Sequence, residues 1–284
     1  MIPSPIKSLL GLMTIFLVTN CGVEAGNPDS TEEKPAKFSL KLTDTPVTGL
    51  SHFYIDAISI KVGANPSITF DQVTTIDVLT LNNGKTLSIL DEKEITAGAI
   101  SEITLTLADT TEPVRAVSSA GVNQKVIVLK DEKATTSLTF TGDLTLTADQ
   151  AVTAIVDVDL RYTLATLDAN SRSKYGVADD VIYALNHKHT FFTEGSRGTM
   201  SFTGKQNGEL ICVTTYDKYT AANLPKTCIP DGADIVKGVY ADSNGTATVI
   251  SIPTGQYNVW GIIGDQVTQY GSRTVASDTE ASAD

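Results

Sequence analysis

The segment Phe38-Ser39-Leu40-Lys41-Leu42 alternates strictly between apolar and polar side chains. Successive residues of a β-strand face opposite sides of the sheet, so the three apolar side chains share one face and the two polar ones share the other. One face then requires a hydrophobic core, whereas the other tolerates solvent. The segment therefore predicts a half-buried strand.

The same alternation returns along the chain between turn signals such as Asn82-Asn83-Gly84, a sequence typical of tight turns. Strands are predicted near residues 53–62, 75–81, 102–108, 125–129, 136–141 and 151–160. Because no long amphipathic helix separates them, the pattern favours a sandwich or barrel over a parallel α/β sheet.

Composition agrees with this class and excludes others. The chain has 284 residues, with 39 threonines and one tryptophan, a balance typical of strand surfaces. Its 33 acidic and 21 basic residues give a net charge of -12, which repels phosphate backbones and anionic lipids. We therefore expect neither nucleic-acid binding nor polybasic membrane docking.

Residues 1–20 have the character of an export signal. Lys7 precedes an apolar run at 9–18, which is shorter than the ~20 residues that a membrane-spanning helix needs. The run ends at Val18-Thr19-Asn20-Cys21, which resembles the lipobox of bacterial lipoproteins and implies lipidation of Cys21. An ordinary secretory signal is the alternative, but the position of the cysteine directly after the run favours the lipoprotein. With Gly22 next, the resemblance implies the outer membrane of a Gram-negative bacterium.

The other two cysteines, Cys212 and Cys228, form a possible pair in an oxidising compartment. A two-cysteine metal site is the alternative. The nearest histidine in sequence, His189, belongs to another segment, so we favour a disulfide.

The chain is predicted to be all-β, with two β-sandwich domains of immunoglobulin or transthyretin-like type. Residues 22–37 are polar, and the apolar positions of residues 164–185 allow short helices. The predicted organisation is a signal peptide at 1–20, a flexible tether at 21–36, a sandwich at 37–162, a partly helical connector at 163–195, a second sandwich at 196–271 and a disordered tail at 272–284.

Several motifs of the first sandwich occur in a consistent order. They are the strand end at Asp44-Thr45-Pro46, the segment 53–62, Ile76-Asp77-Val78-Leu79, and Val156-Asp157-Val158-Asp159-Leu160. In this order they resemble the domain of unknown function 4382, over about residues 36–162. The resemblance implies a structural constraint on Asp157 and Asp159. From the residues alone, paired carboxylates on one strand face could also bind calcium or act as acid and base.

The second sandwich resembles the carboxypeptidase-regulatory or transthyretin-like module. The resemblance rests on Asp242-Ser243-Asn244-Gly245 and on Ile252-Pro253-Thr254-Gly255-Gln256-Tyr257-Asn258-Val259. We expect a hairpin turn at Gly245, a turn at Gly255, and Tyr257 and Val259 on one strand face. Neither resemblance implies catalysis.

The sequence lacks a Gly-x-Ser-x-Gly elbow and a phosphate-binding loop. His187 and His189 would share a strand face and are weak candidates for a metal site, although a solvated linker is favoured because no third ligand accompanies them. We therefore expect no enzyme activity and no cofactor.

The expected function is that of a lipid-anchored envelope module with a binding, adhesion or structural role. Its expected partner is an unidentified envelope protein or glycan. A metal-binding or metal-dependent hydrolytic protein using the histidine pair is the alternative.

Overall fold

A computed structural model describes residues 34–45, 47–186, 189–228, 235–277 and 280–283. Among the described residues, twenty strands account for most of the chain and only three short helical segments occur, which confirms the predicted all-β class. The described residues belong to one compact unit. Cys21, Pro46 and His187 lie outside the described residues, so the predictions for them stay predictions.

The largest sheet contains the first thirteen strands of the described chain. They are β1 (Pro35–Thr45), β2 (Leu50–Val62), β3 (Ile68–Asp77), β4 (Leu87–Thr96), β5 (Gly98–Leu107), β6 (Val114–Ser118), β7 (Asn123–Lys130), β8 (Lys133–Ala134), β9 (Ser137–Leu146), β10 (Ala151–Asp159), β11 (Leu164–Thr166), β12 (Val181–Asn186) and β13 (His189–Thr193). We call this part of the protein the large module.

The strands of the large module are hydrogen-bonded in the order β11-β12-β7-β6-β2-β5-β9-β13-β10-β1-β4, with β3 beside β2 and β8 beside β7. Buried apolar side chains from strands far apart in this order, such as Phe38 on β1, Phe53 on β2 and Phe140 on β9, belong to one core. The sheet therefore folds back on itself, and its two halves enclose that core as the layers of a sandwich. Phe38, Leu40 and Leu42 all point into it, as their alternation predicts.

Two smaller sheets form the C-terminal module. One contains β14 (Gly198–Phe202), β17 (Ala247–Ile252) and β20 (Glu280–Ala283), and the other contains β15 (Leu210–Thr215), β16 (Ile235–Tyr240), β18 (Gly255–Ile263) and β19 (Gln266–Val275). Met200 and Val249 of the first sheet share a core with Val213 and Val259 of the second, so the two sheets pack face to face.

Two strands of the four-stranded sheet, β15 and β18, are buried on both faces. Ile211 and Val213 point into the sandwich core, whereas Cys212 points to the opposite face with Trp260. There the segment 216–228 covers the sheet, with Leu224 and Cys228 packed against Trp260. This burial explains why successive residues of β15 are apolar, without the alternation of a half-buried strand.

The segment 163–195 differs from the expected connector. It does contain a short helix, α2 (Ala169–Tyr175), and the end of another, α1 (Leu160–Thr163), but it also contributes β11, β12 and β13 to the large sheet. A 3-10 helix (Val78–Leu81) completes the helical elements of the described residues. The periodicity of such short strands is too brief to separate them from helix in the sequence alone.

The segment 272–284 also differs from the expected disordered tail. β19 continues to Val275, and β20 pairs in parallel with β14. Small residues gave no apolar alternation here, so the pairing depends on main-chain hydrogen bonds rather than on a side-chain pattern. Within the described ranges, no helix is long and apolar enough to cross a membrane.

Candidate functional site

The acidic motif at the end of β10 lies where the two modules meet. Asp159 is the residue before α1, and its Oδ1 accepts a hydrogen bond from the Arg161 backbone N–H at 3.1 Å. This is the usual cap of a helix N-terminus, where a carboxylate satisfies an N–H that has no partner within the helix. The cap turns the chain so that the Arg161 side chain points toward the C-terminal module.

Arg161 is the most buried cation of this region, with 4% of its side chain exposed. Its Nε and Nη2 donate to the two carboxylate oxygens of Asp159 at 3.1 and 2.6 Å, and its Nη1 donates to the carbonyl oxygen of Cys228 at 3.1 Å. Burial disfavours the charged guanidinium, but the charge and hydrogen bonds of Asp159 outweigh it and hold the pKa of Arg161 above its ordinary value. The planar fork of arginine suits this two-oxygen contact.

Beside this ion pair, which lies within the large module, a second one crosses between the modules. Lys237 on β16 donates from Nζ to Oδ2 of Asp157 on β10, and these side chains are 6% and 14% exposed. We call Asp157, Asp159, Arg161, Cys228 and Lys237 the seam. Removing one partner of a buried pair leaves the other charge uncompensated, so separating the modules would leave Lys237 and Asp157 each without this charge partner.

Gly238 allows the seam to close. A Cβ at this position would lie 2.3 Å from Nη1 of Arg161 and 2.7 Å from Sγ of Cys228, closer than any side chain can approach. Arg161 and the Cys212–Cys228 disulfide therefore both contact the same stretch of β16 backbone. The structure contains this disulfide, which confirms the predicted pairing.

Two tyrosines border the buried arginine. The guanidinium carbon of Arg161 lies 5.5 Å from the ring centroid of Tyr162. Burial raises the pKa of the Tyr162 and Tyr240 hydroxyls above the ordinary value, even though the nearby positive charge opposes the rise. Both phenols therefore stay neutral at physiological pH and add no charge to the seam.

A second contact joins the modules at the predicted tight turn. Asn83 and Gly84 both have positive φ, 57° and 82°, as such a turn requires. Asn83 donates from Nδ2 to the carbonyl oxygen of Thr246 at 3.3 Å, and its Oδ1 accepts the backbone N–H of Thr248 on β17. The turn thereby supplies a hydrogen-bond partner to an edge strand of the C-terminal module.

Asp77, a residue of the family motif, belongs to a separate polar cluster on the large module. Its Oδ2 lies 2.6 Å from Nδ1 of His52, and its Oδ1 accepts the backbone N–H of Phe53 at 3.1 Å. The His52 ring stacks on Tyr54, with centroids 5.3 Å apart. Asp77 therefore links β3 to β2.

The same cluster continues onto β6. Arg115 lies 4.8 Å from the ring centroid of Tyr54, and its Nη1 donates to Oδ2 of Asp56 at 2.5 Å. Thr75 donates to the other oxygen of Asp56 at 2.7 Å. Each of these polar contacts joins β2 to a neighbouring strand, so the cluster stabilises strand pairing across the outer face of the sheet.

The remaining motif residues lie at the end of β1 and at a turn of the C-terminal module. Asp44, the last but one residue of β1, is buried at 4% exposure. Gly245 has φ of 72° in a turn where Asp242 accepts the backbone N–H groups of Asn244 and Thr246. The predicted hairpin is wrong at this turn, because β16 and β17 belong to different sheets and the turn carries the chain from one to the other.

Tyr257 fixes the entry to β18. Its hydroxyl donates to the carbonyl oxygen of Pro253 at 2.7 Å, and a Cβ on Gly255 would lie 3.1 Å from that hydroxyl. Tyr257 and Val259 both point into the core of the C-terminal sandwich, as expected from their spacing.

His189 lies on β13 between β9 and β10, with 2% of the residue exposed. Its ring centroid is 5.7 Å from that of Phe140. Among the described residues, no three histidine, cysteine, aspartate or glutamate side chains form a group that could hold a metal ion. His189 therefore lies in a packed sheet and not at a solvated linker.

The sequence interpretation missed Arg161 and Lys237, although each had a signal. Lys237 stands among apolar residues in Ile235-Val236-Lys237-Gly238-Val239, and Arg161 directly follows the acidic motif. A charge inside an apolar strand requires a buried partner. The partner itself could not be read from the sequence, because Asp157 is 80 residues away.

The model of the domain of unknown function DUF4382 matches residues 35–177, half of the chain. The chain belongs to the DUF4382 family. The match extends past the expected end at 162, through α1, β11 and α2. In this DUF4382 protein the seam therefore joins the family domain to a C-terminal module that the family model does not cover.

No curated protein matches the sequence. Among solved structures, the chain is similar to the TIE protein of Bacillus anthracis, with 9% identity, a TM-score of 0.21, and coverage of 88% of this chain and 33% of that one. It is also similar to a leucine-rich repeat protein of Bacteroides thetaiotaomicron, with 12% identity, a TM-score of 0.19, and coverage of 88% and 26%. For GBS52, the minor pilin of Streptococcus agalactiae, the identity is 11%, the TM-score 0.21, and the coverage 87% and 93%. The DUF4382 chain thus spans about a third and a quarter of the first two proteins, and similarity at this level carries no argument about function.

Proposed function

We propose that this DUF4382 protein is a non-catalytic envelope lipoprotein whose two β modules act as one rigid body. The observation that carries the proposal is the seam, in which Arg161 and Lys237 are buried against carboxylates at the junction of the modules. A flexible linker between modules would leave both side chains in solvent. Burial of paired charges at a junction is a means of fixing one arrangement.

A rigid body suits a displaying or supporting role better than a catalytic one. The motif carboxylates Asp77, Asp157 and Asp159 are each engaged by a neighbouring cation or histidine, which leaves them to hold strands and modules together. An acid–base pair would instead need a carboxylate directed into a cleft that admits substrate. These contacts support a role in binding, adhesion or support.

The proposed attachment is a lipid on Cys21, with the outer membrane of a Gram-negative bacterium as its location. Two or three acyl chains suffice for stable anchoring, at about 0.8 kcal/mol per buried methylene. The partner that the displayed modules would contact is an envelope protein or glycan.

The anchor is tested by expressing the full chain and its Cys21→Ala variant in a Gram-negative host. The wild type should enter the membrane fraction and resist extraction by salt, whereas the variant should not. Asn20→Ser is a matched control, because it restores a small residue before the cysteine and should keep membrane association. If the Cys21→Ala variant stays with the membrane, the lipid anchor is wrong.

The rigid body is tested separately by limited proteolysis at residues 194–197, which link β13 to β14. The wild type should resist cleavage there, and Asp157→Asn should be cut faster because the seam loses one ion pair. Equal cleavage of both proteins would contradict a rigid junction and leave the anchor unaffected.

A further inference from the structure

The Cys212–Cys228 disulfide is completely buried at the junction of the two modules. Both cysteines are 0% exposed and pack with Trp260. Cys228 is the last residue of the segment 216–228, which covers this face of the sheet. Thiol reagents attack a disulfide sulfur directly, so a bond without exposed sulfur reacts only after the surrounding structure opens.

Part of the cover over this disulfide comes from the other module. Arg161 of α1 donates to the Cys228 carbonyl, and a Cβ on Gly238 would meet both Nη1 of Arg161 and Sγ of Cys228. The guanidinium therefore lies beside the sulfur, on the same stretch of β16. Moving the large module away would remove this cover.

Cys228 is also held in an unfavourable backbone conformation. Its φ is 51°, a region that residues other than glycine seldom adopt. The disulfide fixes its side chain and Arg161 fixes its carbonyl, so each contact helps to maintain the geometry that the other requires. Such mutual support couples the oxidation state of the cysteines to the docking of the modules.

We infer that the disulfide is a conformationally gated redox site, shielded while the modules are docked and reducible by thiols when the seam opens. The reductant is a dithiol, whose thiolate attacks one cysteine sulfur and breaks the Sγ–Sγ bond. The other cysteine leaves as a thiolate and takes a proton from water. The second thiol of the reagent then attacks the mixed disulfide, forms a cyclic disulfide within the reagent and releases the first cysteine, which also takes a proton. Two electrons thus pass from the reagent to the protein.

The gate is measured with dithiothreitol on the purified full-length protein. Trp260 is the single tryptophan and packs against the disulfide, so its fluorescence reports opening, while alkylation followed by mass measurement counts free thiols. Asp157→Asn loosens the seam without touching Cys228, and we expect reduction to be about tenfold faster, equivalent to ~1.4 kcal/mol of lost seam stability. Arg161→Lys, which keeps the charge but loses the fork, should accelerate reduction at least as much.

Lys226→Met provides the matched control. Lys226 lies in the segment 216–228, two residues before Cys228, and its side chain pairs with Asp265 on the surface. Reduction should keep the wild-type rate in this variant. If Lys226→Met accelerates reduction and Asp157→Asn does not, the segment opens by itself and the inference is overturned.

A measurement on the wild type alone tests the inference without depending on whether a variant folds. If the gate exists, its reduction rate should stop rising at high dithiothreitol concentration, because opening of the seam becomes limiting. A rate that rises without limit and matches that of a small exposed disulfide would overturn the inference. The result is independent of the membrane anchor, since it rests on contacts within the described residues.

Discussion

Arg161 donates a hydrogen bond from Nη1 to the carbonyl oxygen of Cys228, 67 residues further along the chain. The bond connects the DUF4382 domain to the disulfide of the C-terminal module. Because the same guanidinium is also bound by both carboxylate oxygens of Asp159, its position is fixed from two sides. One guanidinium thus contacts both the large module and the C-terminal module.

Arg161→Ala should be strongly destabilising. The substitution leaves Asp159 buried without its cation and removes the donor to Cys228, and breaking a buried pair costs about 3–5 kcal/mol. The free energy of unfolding from urea denaturation is the measurement. Lys226→Ala, which removes a surface pair, should leave the midpoint unchanged, and an equal loss in both variants would contradict the role of burial.

Gly238→Ala should destabilise the protein by about 1–3 kcal/mol through overpacking. The added methyl group has no room between Arg161 and Cys228. In the double variant with Arg161→Ala, part of this cost should disappear, because the truncated side chain leaves space. Strict additivity of the two unfolding free energies would show that Gly238 and Arg161 do not share this space.

Asn83→Ala should weaken the second contact between the modules. It removes the acceptor for the Thr248 N–H and the donor to the Thr246 carbonyl, at a cost of about 1–3 kcal/mol for partners left unsatisfied. Hydrogen exchange of the Thr248 amide should become faster. Asn82→Ala is the control, since Asn82 bonds to Leu79 within the large module and its loss should leave the Thr248 amide protected.

Tyr270 should titrate late and make stability sensitive to alkali. Burial, together with the hydrogen bond and negative charge of Glu209, raises the pKa of Tyr270 to about 12 from 10.0. The folded protein thus prefers the neutral phenol, so the stabilisation is present below pH 10 and is lost as pH rises toward 12. Solvent screening of the half-exposed ring limits this contribution to about 1 kcal/mol or less.

The measurement is an ultraviolet titration of the phenolate with unfolding curves above and below pH 10. In Tyr270→Phe, one late-titrating phenol should be missing and the loss of stability in alkali should be smaller. A wild type and variant with identical alkaline slopes would contradict the assignment.

Local pattern was sufficient for the elements that pair by alternation. Phe38, Leu40 and Leu42 form one buried face because a strand with one apolar face has a single stable orientation toward a core. The Asn83-Gly84 turn followed from residues that tolerate positive φ. The segments 163–195 and 272–284 could not be placed this way, since their short strands are held by main-chain pairing with distant strands.

The all-β class and the tight turn could be predicted from the sequence because each depends on local pattern, and the small number of cysteines favoured the pairing of Cys212 with Cys228. The cations that Asp157 and Asp159 contact become visible only in the folded protein. Asp157 and Asp159 have the same spacing whether they bind a metal, act in catalysis or pair with cations. In the structure, Lys237 pairs with Asp157, and the cap at α1 places Arg161 beside Asp159. From there Arg161 also donates a hydrogen bond to the carbonyl of Cys228. Charge partners are selected by burial between modules, and burial is a property of the assembled fold.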